Sequence, residues 1–478
     1  MHQGKGVGAE MARKGMHSRN RETSIMTDYI STDCTPYVGG STNAEHLCVL
    51  VHGLWGNPNH MASIAKHMRE KYSEDKLHLL IAKRNAGSFT YDGIELGGER
   101  VVTEIEEELE EIERRGGKIK KLSIVGYSLG GLVARYAVGL LFSKGILDQL
   151  EPVNFTTFAS PHLGVRTPLR GYHNHVWNVL GARTLSESGR QLFTVDKFRD
   201  TGRPLLAVMA DPKSIFVSGL RKFKRRTLYA NCIRDRSAAY YTTCIAKTDP
   251  YTDLSRVKVN YLMGYEEVMV DPQHPVTFIA QESSDEGPTF REMSATAYSY
   301  VQRVPLALAL SVAIPLGVIA YLINAGFQNI KSSKRIKLHE KGLAGIQIDK
   351  YRVPLWIQDI RGAVEETYET LNSAQEQEFL HSDDDDVEVD SEGEINKPAS
   401  EIMALERRQS TPRHPTLALT HHQFEMIKEM DTLGWRKYPV FIHHDRHTHA
   451  AIILRYPKKT FSEGLVVMQH WLKEEFLM

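Results

Sequence analysis

Leu122-Ser-Ile-Val-Gly126-Tyr-Ser128-Leu-Gly130-Gly-Leu132 is the stretch from which the rest of this 478-residue chain can be read. Leu122 to Val125 is an apolar run of strand length, and Gly131 to Phe142 reads as a helix. Gly126-x-Ser128-x-Gly130 stands between them. In that context the turn is sharp and strained, and it leaves the Ser128 hydroxyl exposed as a nucleophile. Gly126 and Gly130 are needed because side chains there would collide with neighbouring backbone. A bare GxSxG is common by chance. The strand before it and the helix after it give it weight against the bland reading, a glycine-rich turn with no chemistry.

Working outward, strands and helices alternate. His46 to His52 and Leu77 to Ala82 read as buried strands. Glu99 to Arg115 is an amphipathic helix, with Val101, Val102, Ile105, Leu109 and Ile112 on one face. Phe155 to Ala159, Leu228 to Ile233 and Pro439 to Ile442 supply further strands. This order predicts an α/β fold: a mostly parallel sheet with helices on both faces. The layered core is expected over 44–300 and again over 435–478.

Several stretches interrupt that order. Residues 164–204 form either a lid over the C-terminal edge of the sheet or an ordinary helical connection. Val304 to Ile323 is a run of 20 residues without a charge. A helix of that length spans about 30 Å, one hydrocarbon core. Pro315 would kink it, which suits a hairpin dipping into a monolayer as well as a span. Lys331, Lys334, Arg335 and Lys337 follow and suit an anionic cytosolic surface. Residues 301–340 are therefore read as a membrane or lipid-droplet segment with a basic flank, the alternative being a helix buried in the core. Residues 341–434 read as an insertion, and 381–394 within it as a self-repelling acidic loop. Residues 1–43 read as a disordered tail and lead-in without the apolar stretch of a signal peptide, so a cytosol-facing location is the default expectation.

Composition narrows the classes further. Lys+Arg and Asp+Glu are both 59, so there is no basic excess of the kind nucleic-acid binding brings. Four cysteines without a CxxC pair exclude a disulfide scaffold and a thiolate zinc site.

A serine that transfers acyl groups needs oriented N–H donors for the negative oxygen of its tetrahedral intermediate. One is the N–H of Leu129, the residue after the nucleophile. The other is expected on the His52-Gly53-Leu54 turn, at Leu54. In this architecture the acid follows the serine and the histidine comes last. Asp235, at the end of Leu228–Ile233, is the candidate acid, with Asp249 and Asp253 as rivals. The base is sought in His443-His-Asp-Arg-His447-Thr-His449, beyond the last strand. His449 is preferred, His447 is second, and His52 is read as structural. The spacing of these histidines matches no metal motif, and the chemistry calls for no metal or organic cofactor.

With these residues in place, the chain resembles the serine-esterase family of α/β-hydrolases, and within it the fungal lipid-droplet phospholipases and lipases. The resemblance rests on Leu50-Val-His-Gly-Leu-Trp-Gly-Asn57, Tyr91-Asp-Gly-Ile-Glu95, Gly97-Gly-Glu-Arg100, Ile124–Leu132, Ser160-Pro-His-Leu-Gly164 and Tyr229-Ala-Asn231. His449-Ala-Ala-Ile-Ile looks like the family's C-terminal histidine motif, which favours His449 over its neighbours. In these motifs His162 looks like a shape-setting residue. The resemblance implies an α/β-hydrolase fold and hydrolysis of lipid esters. A phospholipid or neutral-lipid substrate would be met at a lipid-droplet or endoplasmic-reticulum membrane surface.

Overall fold

The computed structural model describes residues 33–166, 185–265, 267–279, 323, 326–342 and 416–478. The tail up to residue 32, residues 167–184 of the expected lid, residues 304–322 of the apolar run and the acidic loop 381–394 lie outside the described residues. Among the described residues no helix is long and apolar enough to cross a membrane.

Six strands form one parallel sheet: β1 (His46–Val51), β2 (Leu77–Ile81), β3 (Lys121–Tyr127), β4 (Glu151–Phe158), β5 (Arg225–Asn231) and β8 (Arg436–Val440), in the order β2-β1-β3-β4-β5-β8. A small antiparallel hairpin, β6 (Val257–Val259) and β7 (Val276–Phe278), stands apart. Helices α1 (Ala62–Lys71), α2 (Ile94–Arg114), α3 (Leu129–Ser143), α4 (Leu205–Ala210) and α5 (Ile215–Lys222) come before a helix over 326–340, called α6. Helices α7 (His421–Asp431) and α8 (Glu463–His470) follow, and further short helical segments lie among these elements.

Strand periodicity explains the layering. Leu47, Val49 and Val51 point to one face, into a core shared with α2, α3, α4, α5 and α7. Cys48 and Leu50 point to the other, with α1, α8 and Trp471. Both faces are covered, so β1 reads as a continuous apolar run rather than an alternation.

Several boundaries differ from the sequence reading, among them β5 and β8, which begin three residues earlier at Arg225 and Arg436; two others have physical reasons in the packing. Helix α2 begins at Ile94, not Glu99. Gly97 and Gly98 sit inside it because α3 comes close: a Cβ on Gly98 would lie 2.6 Å from the Tyr136 ring. Strand β4 starts at Glu151 and includes Pro152, beside a register shift between Leu122 and Ile124. Proline is tolerated there because it lies near the strand's beginning and the ladder is irregular. The layered core also resumes before residue 435, since Leu419, Phe424, Met426 and Met430 pack into it.

The strand order fixes where a site can form. From β1 the chain moves outward to β2, then returns to place β3 on the other side of β1. The loops after β1 and β3 therefore diverge and leave a crevice at the C-terminal edge of the sheet. Gly53 and Ser128 both lie there.

Candidate active site

Strand β3 ends at Tyr127 and α3 begins at Leu129, so Ser128 alone makes the turn. Its backbone lies at φ 55°, ψ −130°, a sparsely populated conformation that costs a side-chain-bearing residue about 1–3 kcal/mol. The surroundings hold it. Ser128 N–H donates to Phe158 O at 2.9 Å, and Ser128 O accepts from Ser160 Oγ at 2.8 Å. A Cβ on Gly126 would lie 2.4 Å from Gly131 Cα, and one on Gly130 2.2 Å from Val51 O. The two flanking glycines are thus required by close backbone approach.

Three residues far apart in sequence meet at this turn. His449 Nε2 lies 2.9 Å from Ser128 Oγ, and His449 Nδ1 lies 2.8 Å from Asp235 Oδ2. The Asp235 side chain is buried and also accepts from Asn231 Nδ2 at 2.8 Å, Ala238 N–H at 2.9 Å and Ser237 N–H at 3.0 Å. Burial pushes its carboxyl up, but the His449 ring, Asn231 and Ala238 outweigh that and hold it below the ordinary carboxylate value. An ionised Asp235 fixes the tautomer with Nδ1 protonated, leaving Nε2 free to accept the serine proton. The segment that carries the histidine is tied down: Tyr127 O–H donates to His449 O at 2.9 Å, and the side chain of the preceding Thr448 donates through Oγ1 to Ile233 O at 3.1 Å.

The turn after β1 closes over the nucleophile. A Cβ on Gly53 would lie 2.7 Å from Ser128 Cβ and 3.2 Å from Ser128 Oγ. Leu54 follows, and among the described residues its N–H has no acceptor, while those of Trp55 and Gly56 are bonded to Thr90 Oγ1 and Gly53 O. Leu129 opens α3, so its N–H has no partner within the helix. Two free N–H donors near a serine hydroxyl suit a developing oxyanion.

Other residues singled out in the sequence lie elsewhere. His52 is buried, its Nδ1 is 3.1 Å from Gly53 O, and burial lowers its pKa. His162 is fully buried against Thr157 Oγ1 at 3.0 Å, and burial, aided by Arg135, keeps it neutral. His447 is exposed and begins the turn that carries His449. Asp249 and Asp253 accept from the backbones of Tyr251 and Ser255 in local turns, away from His449. Among the described residues no cluster of three or more His, Cys, Asp or Glu is arranged to hold a metal ion. Sequence reasoning missed the supports: Asn231 under Asp235, Tyr127 under His449, and Thr90 and Tyr91 behind Trp55. Tyr91 and Asn231 sit in motifs visible in the sequence, but their pairing with Trp55 and Asp235 shows only in the fold.

Residues 41–248 match the family model described as Putative serine esterase (DUF676). This segment is thus similar to a family of serine esterases. It contains the nucleophile turn, the loop after β1 and Asp235, while His449 lies beyond it. The chain is 30% identical over 217 residues to Putative lipase ROG1 of Saccharomyces cerevisiae, covering 44% of this chain and 30% of that protein. It is 28% identical over 275 residues to Putative lipase C4A8.10 of Schizosaccharomyces pombe, covering 55% and 32%. These matches span about a third of the curated relatives' length. A solved structure, a lipase-esterase related protein from Clostridium acetobutylicum ATCC 824, overlaps at 14% identity with a TM-score of 0.20, over 30% of this chain and 51% of that one. That overlap adds nothing to the topology above, which by itself is that of an α/β-hydrolase.

Proposed function

We propose that this protein is a lipase or phospholipase that releases fatty acids from glycerolipid esters at a lipid surface. The observation that carries the reading is the continuous Ser128–His449–Asp235 hydrogen-bond chain beneath the Gly53–Leu54 turn. His449 Nε2 takes the Ser128 proton as Oγ bonds to the ester carbonyl carbon. The carbonyl oxygen becomes negative and is held by the N–H groups of Leu54 and Leu129. Asp235 stabilises the imidazolium. The bond to the alcohol oxygen then breaks, and His449 hands its proton to that oxygen. Water, deprotonated by His449, attacks the acyl-serine, and the fatty acid leaves with the serine proton restored.

The lipid part of the reading rests on several supports. The relatives carry the name lipase. The sequence holds the uncharged run 304–323. Next to it, α6 exposes Phe327 (63%) and Ile330 (57%) together with Lys331, Lys334 and Lys337. Trp55, on the turn over the nucleophile, is also largely exposed. Aromatic, aliphatic and lysine side chains in this mixture suit an anionic lipid–water boundary, on the cytosolic side of a lipid droplet or the endoplasmic reticulum.

The test is labelling of wild type and Ser128→Ala with a fluorophosphonate, beside fatty-acid release from phospholipid and triacylglycerol emulsions. Labelling and release that both vanish in Ser128→Ala are expected. Labelling without release from either lipid points to another acyl substrate, a soluble ester or thioester, or to acyl transfer. A folded wild type that never labels overturns the enzyme reading and favours a membrane adaptor built on a hydrolase fold.

A further inference from the structure

Helix α6 lies outside the family-matched residues, yet it is bonded into the wall of the candidate site. Its inward face carries Ser332, Arg335, Ile336 and His339, at the three- and four-residue spacing of one helical side. Arg335 donates to both carboxylate oxygens of Asp92, Nε to Oδ2 at 2.8 Å and a terminal nitrogen to Oδ1 at 2.7 Å, and to Ser88 O at 2.8 Å. Ser332 Oγ donates to Asp92 Oδ1 at 2.7 Å, and His339 Nε2 lies 2.5 Å from Glu99 Oε2. The Asp92 side chain is fully buried, and Arg100 donates to it from the other side at 2.7 Å. The Phe89 ring has the Arg335 guanidinium at 4.9 Å and that of Arg100 at 5.0 Å.

The turn that α6 grips, 87–92, is the same turn that holds the loop over Ser128. Gly87 N–H donates to Gly56 O at 2.7 Å, Trp55 N–H to Thr90 Oγ1 at 3.1 Å, and Trp55 Nε1 to Tyr91 Oη at 2.7 Å. Trp55 needs this support because its φ is +56°, a left-handed conformation unfavourable for a bulky residue. It directly follows Leu54, whose N–H orientation depends on how the chain enters Trp55. A path of short bonds thus runs from Arg335 through Asp92 and the 87–91 turn to Trp55 and Leu54.

We propose that α6 is a buttress for the oxyanion loop, with Arg335 and Ser332 as positioning residues that act on Leu54 through Asp92. The proposal rests on the serine-hydrolase reading for its kinetic consequence but not for its structural one. Without Arg335 the buried Asp92 carboxylate keeps Arg100 but loses its bidentate partner, and the turn loses the bond to Ser88 O. The donor at Leu54 acts only on the tetrahedral state, so its loss lowers kcat and leaves KM nearly unchanged.

The experiment uses the full chain and the variants Arg335→Ala, Arg335→Lys and Ser332→Ala. Turnover of p-nitrophenyl butyrate is measured together with hydrogen exchange of segments 53–56 and 87–92. The expected result for Arg335→Ala is a kcat about 10–100-fold lower with KM within about threefold, and faster exchange in both segments. Arg335→Lys, a point charge without the planar fork, recovers only part of kcat, and Ser332→Ala gives a smaller loss of the same kind. Unchanged exchange at 53–56 in folded variants overturns the proposal whether or not the protein is an esterase. So does a fall in melting temperature with kcat preserved. A wild type that never turns over ester fails the hydrolase reading alone, because the exchange result still decides the buttress.

Discussion

Replacing Gly53 by alanine tests the crevice with one methyl group. Gly53 does not need glycine for its backbone angles, since its φ lies outside the left-handed region, so Gly53→Ala adds no conformational strain of that kind. It adds a carbon 2.7 Å from Ser128 Cβ, 3.1 Å from Tyr127 O and 3.2 Å from Ser128 Oγ. Carbon atoms pack best at about 3.5–4.0 Å, so roughly 1 Å of separation has to open. The serine side cannot yield easily, because Gly126 and Gly130 already lie against α3 and β1. The turn 53–55 must therefore lift, carrying the Leu54 N–H away from the reacting oxygen. A misplacement of about 1 Å costs about 10²-fold, and removing one oxyanion donor costs about 10²–10³ in kcat, or about 2.7–4 kcal/mol of barrier. The expected outcome is a kcat for a soluble ester 10²–10³-fold lower, a KM within a few-fold, and an overpacking cost of about 1–3 kcal/mol in stability. Gly116→Ala is the control: Gly116 has φ +86° after the end of α2 with open space around it, so alanine there strains the backbone and lowers stability without touching the site. A Gly53→Ala enzyme with kcat within threefold of wild type would show that the turn does not sit over the reacting atoms, and Leu54 would cease to be a donor.

Two further outcomes are expected. Burial pushes the Asp196 carboxyl up to about 7, and its Oδ2 accepts from Leu205 N–H at 2.8 Å. The folded chain then keeps a proton that the unfolded chain releases above its ordinary value, so stability falls from about pH 4 to about pH 7 and is flat beyond, by at most about 4 kcal/mol. Asp196→Asn, which keeps an acceptor for Leu205, removes this slope, so its advantage in denaturant unfolding grows from pH 4.5 to pH 8; an advantage independent of pH means that Asp196 is not held protonated. Deleting 304–323 is expected to release the protein from membranes in a flotation assay, and retention on droplets would place the anchor elsewhere.

The nucleophile turn was legible in the sequence because its requirements are local. A strand, two glycines and a helix lie between Lys121 and Ser143, and each follows from propensity or close packing. The same holds for Asp235 at the end of a strand. His449 is preferred over His447 in the sequence for its place before Ala450-Ala-Ile-Ile, and the resemblance to a family supports that choice. The geometric reason appears only in three dimensions: Tyr127 and Thr448 tie down the backbone that aims the ring. Helix α7 opens with a capping box between Thr420 and Gln423, a local signal present in the sequence. The grip of α6 on Asp92 was illegible for the opposite reason. Its partners are 240 residues and more apart, and a basic stretch after an apolar run reads first as a membrane flank. Lys331, Lys334 and Lys337 keep that character, while Arg335 between them turns inward.

The distance between Asp235 and His449 in sequence shows how such an arrangement survives a long interruption. Asp235 and His449 are 214 residues apart, yet each stands just past the end of adjacent parallel strands. Thr227 to Asn231 pair with Arg436 to Val440 in unbroken register, and Cys232 N–H donates to Val440 O at 2.8 Å. That pairing sets the two ends of the crevice to within one residue, because a slip by one would turn every side chain of the strand to the other face. Lengthening the connection costs little by comparison, since each doubling of a flexible loop adds only about 0.6 kcal/mol. The connection can therefore vary in length without moving the imidazole, provided β8 finds β5 and α6 keeps its place on Asp92. It follows that changes at the β5–β8 seam bear on whether His449 meets Ser128 at all.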